Sequence, residues 1–152
     1  MSLETVRAFF RAHAPDVEII ETAESSSTVA LAAEAHGVDP AQIAKTICLR
    51  VGEKTMLVVA GGLARLDNRK FKDTFGGKGR MLGPDEVVEV TGHPVGGVCP
   101  FGLQTIMPIY CDVSLRQFDE VVPAAGSTNS AVRISTERLA ELTKATWVDV
   151  CQ

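Results

Sequence analysis

The chain has 152 residues, 45% of them hydrophobic and 22% charged, the balance of one globular domain with a sizeable core. No apolar run reaches the roughly 20 residues that span a bilayer, and the start, Met1-Ser2-Leu3-Glu4, has neither the basic nor the apolar region of an export signal, so a cytoplasmic location is expected. The net charge of −4 argues against a nucleic-acid partner, yet Arg65 to Arg80 alone carries a local +4 and the remainder −8, which leaves one basic segment able to meet phosphates.

In chain order, Leu3 to His13 reads as an amphipathic helix with Val6, Phe9, Phe10 and His13 on one face, ended by Pro15. Val17 to Thr22 is β-rich. Ser25-Ser26-Ser27-Thr28 offers N-caps for an alanine-rich helix, Val29 to His36, which Gly37 closes. Asp39-Pro40-Ala41-Gln42 has the form of a capping box, with Gln42 reaching back, and delivers one helical turn into a strand from Lys45 to Val51. Thr55 to Ala60 returns as its hairpin partner. Asp67 caps a basic helix to about Phe75, with Phe71 and Phe75 as its apolar stripe.

Gly76 to Arg80 reads as a flexible loop without the GK[ST] of a phosphate-binding P-loop, and Gly83-Pro84 to Val90 as a short helix. Gly92 to Leu103 holds four glycines and two prolines, so it is a shaped loop that lets a ligand or another backbone come close. Thr105 to Cys111 reads as a strand whose Pro108 suggests an edge or a bulge. Then come a turn at Val113 to Phe118 capped by Asp112, a strand at Glu120 to Pro123, and a small polar loop at Ala124 to Ser130. A strand at Ala131 to Ile134, a helix at Thr136 to Lys144 capped by Ser135, and a strand at Trp147 to Val150 end the chain. The expected fold is α+β: a mixed, partly closed sheet or barrel of about seven strands with peripheral helices, in a single domain over residues 1–152.

Lys45 is the anomaly in this pattern. Strand alternation puts it on the face of Ile47, Leu49 and Val51, with Thr46, Cys48 and Arg50 opposite. An unpaired buried ammonium costs several kcal/mol (order of magnitude), so Lys45 must reach solvent, meet a carboxylate, or line a cleft that receives an anion. Conventional catalytic sets are missing. Cys48, Cys99, Cys111 and Cys151 form no CxxC pair and are expected as free thiols. His13, His36 and His93 are scattered, so no metal site is expected. Neither GxSxG nor GxGxxG occurs, and no cofactor is expected. What remains is one lysine beside loops rich in backbone N–H groups, a chemistry that holds an anion or an oxyanion without a strong base.

Three stretches together resemble the YbaK/prolyl-tRNA-synthetase-associated domain family: Gln42-Ile43-Ala44-Lys45-Thr46, Gly96-Gly97-Val98-Cys99-Pro100-Phe101-Gly102, and the Gly126-Ser127 loop. The resemblance runs from about Thr28 to Leu142. It implies a free-standing deacylase that hydrolyses the ester of a mischarged aminoacyl-tRNA, typically tRNA(Pro), at its CCA end, with prolyl-tRNA synthetase as a partner. On that basis Lys45 holds the terminal adenosine's phosphate, and Gly126 binds substrate and activates water. Gly97, Cys99, Pro100 and Gly102 wall the amino-acid pocket, and Thr28, Thr46, Ser127 and Asn129 complete the substrate-binding set. Catalysis is then largely assisted by the tRNA's own 2′-hydroxyl. Some members carry histidine or aspartate where this chain has Ser127 to Ser130, and serine or threonine at the position of Cys99; both bear on which amino acid is removed. Arg65, Arg69, Lys70 and Lys72 are the expected basic rim for tRNA. Two other readings stay open at this level: a binder of aminoacylated ends without turnover, and a thiol enzyme using Cys99.

Overall fold

The computed structural model describes residues 2–152. Helix α1, Ser2–His13, buries Val6 and Phe10, and strand β1, Ile19–Glu21, follows it. Helix α2, Val29–His36, begins where the Thr28 side chain accepts from the Leu31 N–H and stops at Gly37 in the left-handed conformation. A 3-10 turn, Pro40–Gln42, enters strand β2, Ile43–Val51, two residues earlier than the sequence pattern places it. Asp39 caps this turn through the Ala41 N–H at 2.8 Å, but the reciprocal half of the capping box does not form. With only one turn to stabilise, Gln42 instead donates across to the Glu120 carbonyl at 3.1 Å.

Strand β3, Lys54–Gly61, pairs antiparallel with β2, and Lys45 lies opposite Ala60. Helix α3, Asn68–Phe75, is capped by Asp67 at two N–H groups, and β4, Arg80–Met81, adds to β2 beside Leu49 and Arg50. The stretch read as a flexible loop thus ends in a short strand. Two residues carry no alternation to detect. Helix α4, Pro84–Thr91, sits over that edge, held by Glu86 to Arg50 at 3.0 Å and to Arg80 at 3.6 Å.

Strand β5, Ile109–Asp112, starts after Pro108 and runs between β3 and the C-terminal strand β9, Thr146–Val148. The proline therefore lies outside the ladder and marks neither an edge nor a bulge within it; its carbonyl still accepts from Leu57. After a 3-10 turn, Val113–Gln117, come β6, Glu120–Pro123, β7, Ser130–Val132, β8, Ile134–Ser135, and helix α5, Thr136–Thr143. The expected single strand at Ala131 to Ile134 is split because its two halves serve different partners, β1 for β7 and β6 for β8.

The principal sheet has seven strands, ordered β8-β6-β2-β3-β5-β9 with β4 also on β2, and it curls into a half-barrel of mixed direction. One core lies under α1 and α5 around Phe10, Phe101 and Leu139, and another under α3 around Leu49, Val58 and Phe71. Two smaller clusters sit under α2 (Ala32, Ile43, Val122) and under α4 (Cys48, Leu57, Val87). No helix among the described residues is long and apolar enough to cross a membrane.

Gly62 is the tightest point of this packing. A Cβ there would lie 2.0 Å from the Pro40 carbonyl oxygen and 2.8 Å from Val29. The Gly62→Ala variant is expected to lose about 1–3 kcal/mol of stability, read as a lower denaturant midpoint at unchanged slope; an unchanged midpoint contradicts this packing.

Candidate active site

Between the α2 and α4 clusters lies a cavity of ≈ 330 Å³ along the edge of β2. Its walls are mostly aliphatic: Val29 and Ala32 from α2, Ile43 and Ala44 from β2, Leu82 and Val87 near α4, and Val95 and Val98 from the glycine loop. Polar groups enter at one end, from Ser26, Ser27 and Thr28, from Thr46, and from Ser130. Lys45 is its one charged lining residue, and no aspartate, glutamate or histidine lines it among the described residues.

The ammonium of Lys45 meets none of the three fates open to it in sequence in simple form. Nζ donates to the Gly62 carbonyl at 3.2 Å and to the Ala64 carbonyl, on the loop between β3 and α3. No ion pair among the described residues includes it. Burial holds Lys45 below the ordinary lysine value, and the nearby Arg65 pushes in the same direction. The result is a partly desolvated cation with dipoles for partners and no neutralising charge, which favours an incoming anion.

Glycines of two loops bring the cavity mouth together with a third loop at Ser27. A Cβ on Gly96, at φ +92°, would lie 2.8 Å from the Ser27 side chain, and one on Gly97 would lie 2.8 Å from the Ser127 backbone. The Gly126 N–H donates to the Gly97 carbonyl at 3.0 Å, and its own carbonyl accepts from the Ser2 hydroxyl. These glycines are present because backbone meets backbone. Both main-chain groups of Gly126 are engaged and it does not line the cavity, so nothing in its geometry activates a water.

Several expected wall residues point elsewhere. Cys99 is fully buried in the core with Phe101, while its neighbour Val98 faces the cavity. Pro100 is buried outside the lining, and a Cβ on Gly102 would meet the Thr5 backbone of α1 at 2.7 Å. The wall is therefore formed one residue earlier in this loop than expected, by Val98 in place of Cys99. Ser127 and Asn129 stand behind the wall. The Ser127 hydroxyl lies 2.5 Å from the cavity-lining Ser130 and donates to Asn129 at 3.1 Å, and Asn129 donates to the Thr22 carbonyl at 3.0 Å. Thr28 and Thr46 do line the cavity. Sequence reasoning missed Val95, Val98, Leu82 and Val87, for which the only available signal was an apolar side chain next to a glycine or at an alternate helix turn.

The basic rim is present in part. Arg65 is exposed beside Lys45, and Arg69 and Lys72 are exposed on α3. Lys70 is instead tied down, to Asp149 at 3.1 Å and to the Cys151 carbonyl at 2.9 Å, which leaves the rim one cation short of expectation.

A thiol mechanism does not fit this geometry. Burial pushes the Cys99 thiol up to about 12. His93 Nε2 lies 3.6 Å from the sulfur but 2.7 Å from the Phe101 carbonyl, and to bond a carbonyl that nitrogen must carry the proton. Burial also lowers the His93 pKa. The imidazole therefore offers no base to the thiol.

Fold and cavity together define a class: a small α+β module with a partly desolvated lysine beside an apolar pocket whose lining, among the described residues, holds no acid or imidazole. The aminoacyl-tRNA editing domain family matches residues 23–142. The uncharacterised protein YwhH of Bacillus subtilis is 46% identical over 154 residues, covering 100% of this chain and 98% of YwhH. A proline–tRNA ligase of Shouchella clausii is 32% identical over 104 residues, 68% of this chain but only 18% of the ligase. Among solved structures, a candidate trans-editing enzyme for prolyl-tRNA synthetase superposes with a TM-score of 0.92 at 31% identity, over 99% of this chain and 97% of that one. The hypothetical protein APE2540 gives a TM-score of 0.89 at 30% identity, over 97% and 99% of the two chains. The chain belongs to the aminoacyl-tRNA editing domain family, and its activity is that of an aminoacyl-tRNA deacylase.

Two measurements check the buried thiol. Cys99→Ser is expected to keep deacylation within a few-fold of wild type, and native Cys99 is expected to resist a thiol-modifying reagent until the protein unfolds. Loss of turnover in that variant, with its fold intact, would restore the thiol reading.

Proposed function

We propose that this protein is a free-standing, single-domain trans-editing enzyme of the cytoplasm that clears a small non-cognate amino acid from tRNA(Pro). The observation that carries the reading is the cavity: apolar, ≈ 330 Å³, with one unneutralised lysine and no acid or imidazole in its lining. A synthetase discriminates a slightly smaller apolar substrate by only ~1–3 kcal/mol, so a second and smaller hydrolytic pocket is what restores fidelity. The ligase segment related to this chain supports proline as the cognate amino acid, and prolyl-tRNA synthetase as the enzyme whose errors are cleared. Its near full-length match to YwhH supports the free-standing form.

In this mechanism Lys45 binds the phosphate of the terminal adenosine by a charge-assisted hydrogen bond. Arg65, Arg69 and Lys72 attract the acceptor stem in a salt-dependent way. The acyl group enters the aliphatic cavity beside Thr28, Thr46 and Ser130. Water adds to the ester carbon, the carbonyl oxygen takes the negative charge, and collapse breaks the bond to the 3′-oxygen. One proton of the attacking water is relayed by the neighbouring 2′-hydroxyl to that leaving oxygen, because the lining provides no side-chain base, and the other leaves the product carboxyl for solvent. Gly126 acts through shape, holding the Gly97 and Ser127 loops together over the cavity mouth, with Ser127 and Asn129 fixing Ser130 from behind.

The test is deacylation of tRNA(Pro) charged with alanine, serine, cysteine or proline. Selective hydrolysis of one non-cognate ester is expected, with Pro-tRNA(Pro) spared. The same ester on a tRNA ending in 2′-deoxyadenosine should react at least roughly 10²-fold more slowly, the usual contribution of a lost general acid–base group. Tight binding of the charged tRNA with no turnover would replace the enzyme by a binder, and an unaffected 2′-deoxy substrate would remove the 2′-hydroxyl from the mechanism.

A further inference from the structure

Between β6 and β4, strand β2 has an uncovered edge. β6 pairs with it only at Ile43 and Ala44, and β4 only at Leu49 and Arg50. Lys45 to Cys48 therefore have β3 on one side and the cavity on the other. The ladder fixes where their main-chain groups point. Opposed residues of an antiparallel pair alternate between exchanging both hydrogen bonds and turning N–H and C=O outward. Leu57 turns outward, since its N–H donates to the Pro108 carbonyl at 3.0 Å on the β5 side. Cys48 lies opposite Leu57 and so turns outward as well; its carbonyl accepts from the Leu82 N–H at 3.3 Å.

Thr46, two residues back, has the same phase. Its N–H and C=O face the break between β6 and β4, and no bond outside the β2–β3 ladder uses either among the described residues. Its hydroxyl is buried and also makes no hydrogen bond. In apolar surroundings an unpaired polar group is costly, so a ligand that pairs with this residue relieves a standing penalty. The Cys48 N–H is roughly 7 Å further along the strand, too far to share one acceptor with the Thr46 N–H.

We propose that Thr46 recognises the aminoacyl group through its main chain, as one residue of an antiparallel strand recognises the residue opposite. This deepens the deacylase reading and rests on it. An aminoacyl ester carries an ammonium donor and a carbonyl acceptor on one carbon, in the order of a peptide unit. The ammonium donates to the Thr46 carbonyl, and the ester carbonyl oxygen accepts from the Thr46 N–H. A cavity of ≈ 330 Å³ is at the small end of ligand sites, so it admits one such unit and not a peptide strand. When water adds to the ester carbon, the same N–H faces the developing oxyanion. The pairing reads the α-amino-acid unit whatever its side chain, and leaves side-chain selection to the aliphatic walls.

The inference is tested by NMR of the labelled protein with 3′-(alanylamino)-3′-deoxyadenosine 5′-phosphate, a non-hydrolysable mimic of the charged end. The Thr46 amide proton should shift downfield on saturation, while the Lys45 and Ile47 amides, paired with β3, stay nearly in place. Binding seen at Val98 and the Lys45 side chain without a change at the Thr46 amide overturns the main-chain pairing and leaves the deacylase reading standing. Binding at neither overturns both. As an independent variant, replacing Thr46 by its α-hydroxy analogue exchanges that N–H for an ester oxygen. Deacylation should fall roughly 10²–10³-fold, the effect of removing one oxyanion donor, with little change in melting temperature. The same exchange at Ile47 should instead lower the melting temperature. An unchanged rate for the Thr46 analogue refutes the proposal.

Discussion

The site depends on one cation held by dipoles. Lys45 enters the sheet on the face that packs under α3, and its ammonium is held by the carbonyls of Gly62 and Ala64 instead of by an acid. Carbonyls orient an ammonium without neutralising it, so the charge remains available to an anion. The surrounding elements follow from that requirement. Gly62 must be glycine because its Cα lies against Pro40, the first residue of the turn that feeds β2. That contact fixes the Lys45 acceptors relative to the start of the Lys45 strand. Arg65 follows on the same loop and keeps the local field positive.

On the other side of β2 the design is reversed. Thr46 and Cys48 face an aliphatic chamber in which Lys45 is the one charged lining residue and polar groups are few. In the proposed mechanism one strand thus separates an anion site from an acyl site, with adjacent residues serving each. This division suits an ester between a phosphate-bearing nucleoside and a small amino acid. The three loops that close the chamber meet through glycine, which allows backbone contact at Gly96 with Ser27 and at Gly97 with Ser127. The shape of the chamber therefore comes from main-chain packing, and its chemistry from the few groups left unpaired within it.

Local rules made much of this legible in the sequence. Strand alternation placed Lys45 opposite Thr46 in facing, and the caps at Thr28, Asp67 and Ser135 and the stop at Gly37 set the helix ends. The family resemblance named two of those loops, Gly96 to Gly102 and Gly126-Ser127, together with the Lys45 strand. What failed needed tertiary information. Cys99 and Val98 are neighbours in a glycine-rich loop, and only the position of α1 against Phe101 decides which of them faces the core. Lys70 looked like part of a rim, but the C-terminal Asp149 and Cys151 capture it. Gln42 left its capping box for a carbonyl on β6. The uncovered edge of β2 could not be read at all, because it arises from where two other strands stop.

The division of labour across β2 is tested most directly with two minimal substrates, adenosine and adenosine 5′-phosphate, each esterified at the 3′-oxygen with the amino acid that is removed fastest. Wild-type enzyme should favour the phosphorylated ester by about 10–100-fold in kcat/KM, the value of one charge-assisted hydrogen bond of about 1.5–3 kcal/mol. In Lys45→Gln that preference should collapse toward one, with slow hydrolysis of both esters retained. If Lys45→Gln instead lost activity on the two esters equally, the lysine would act on the acyl group and the assignment of the two sides of the strand would be wrong.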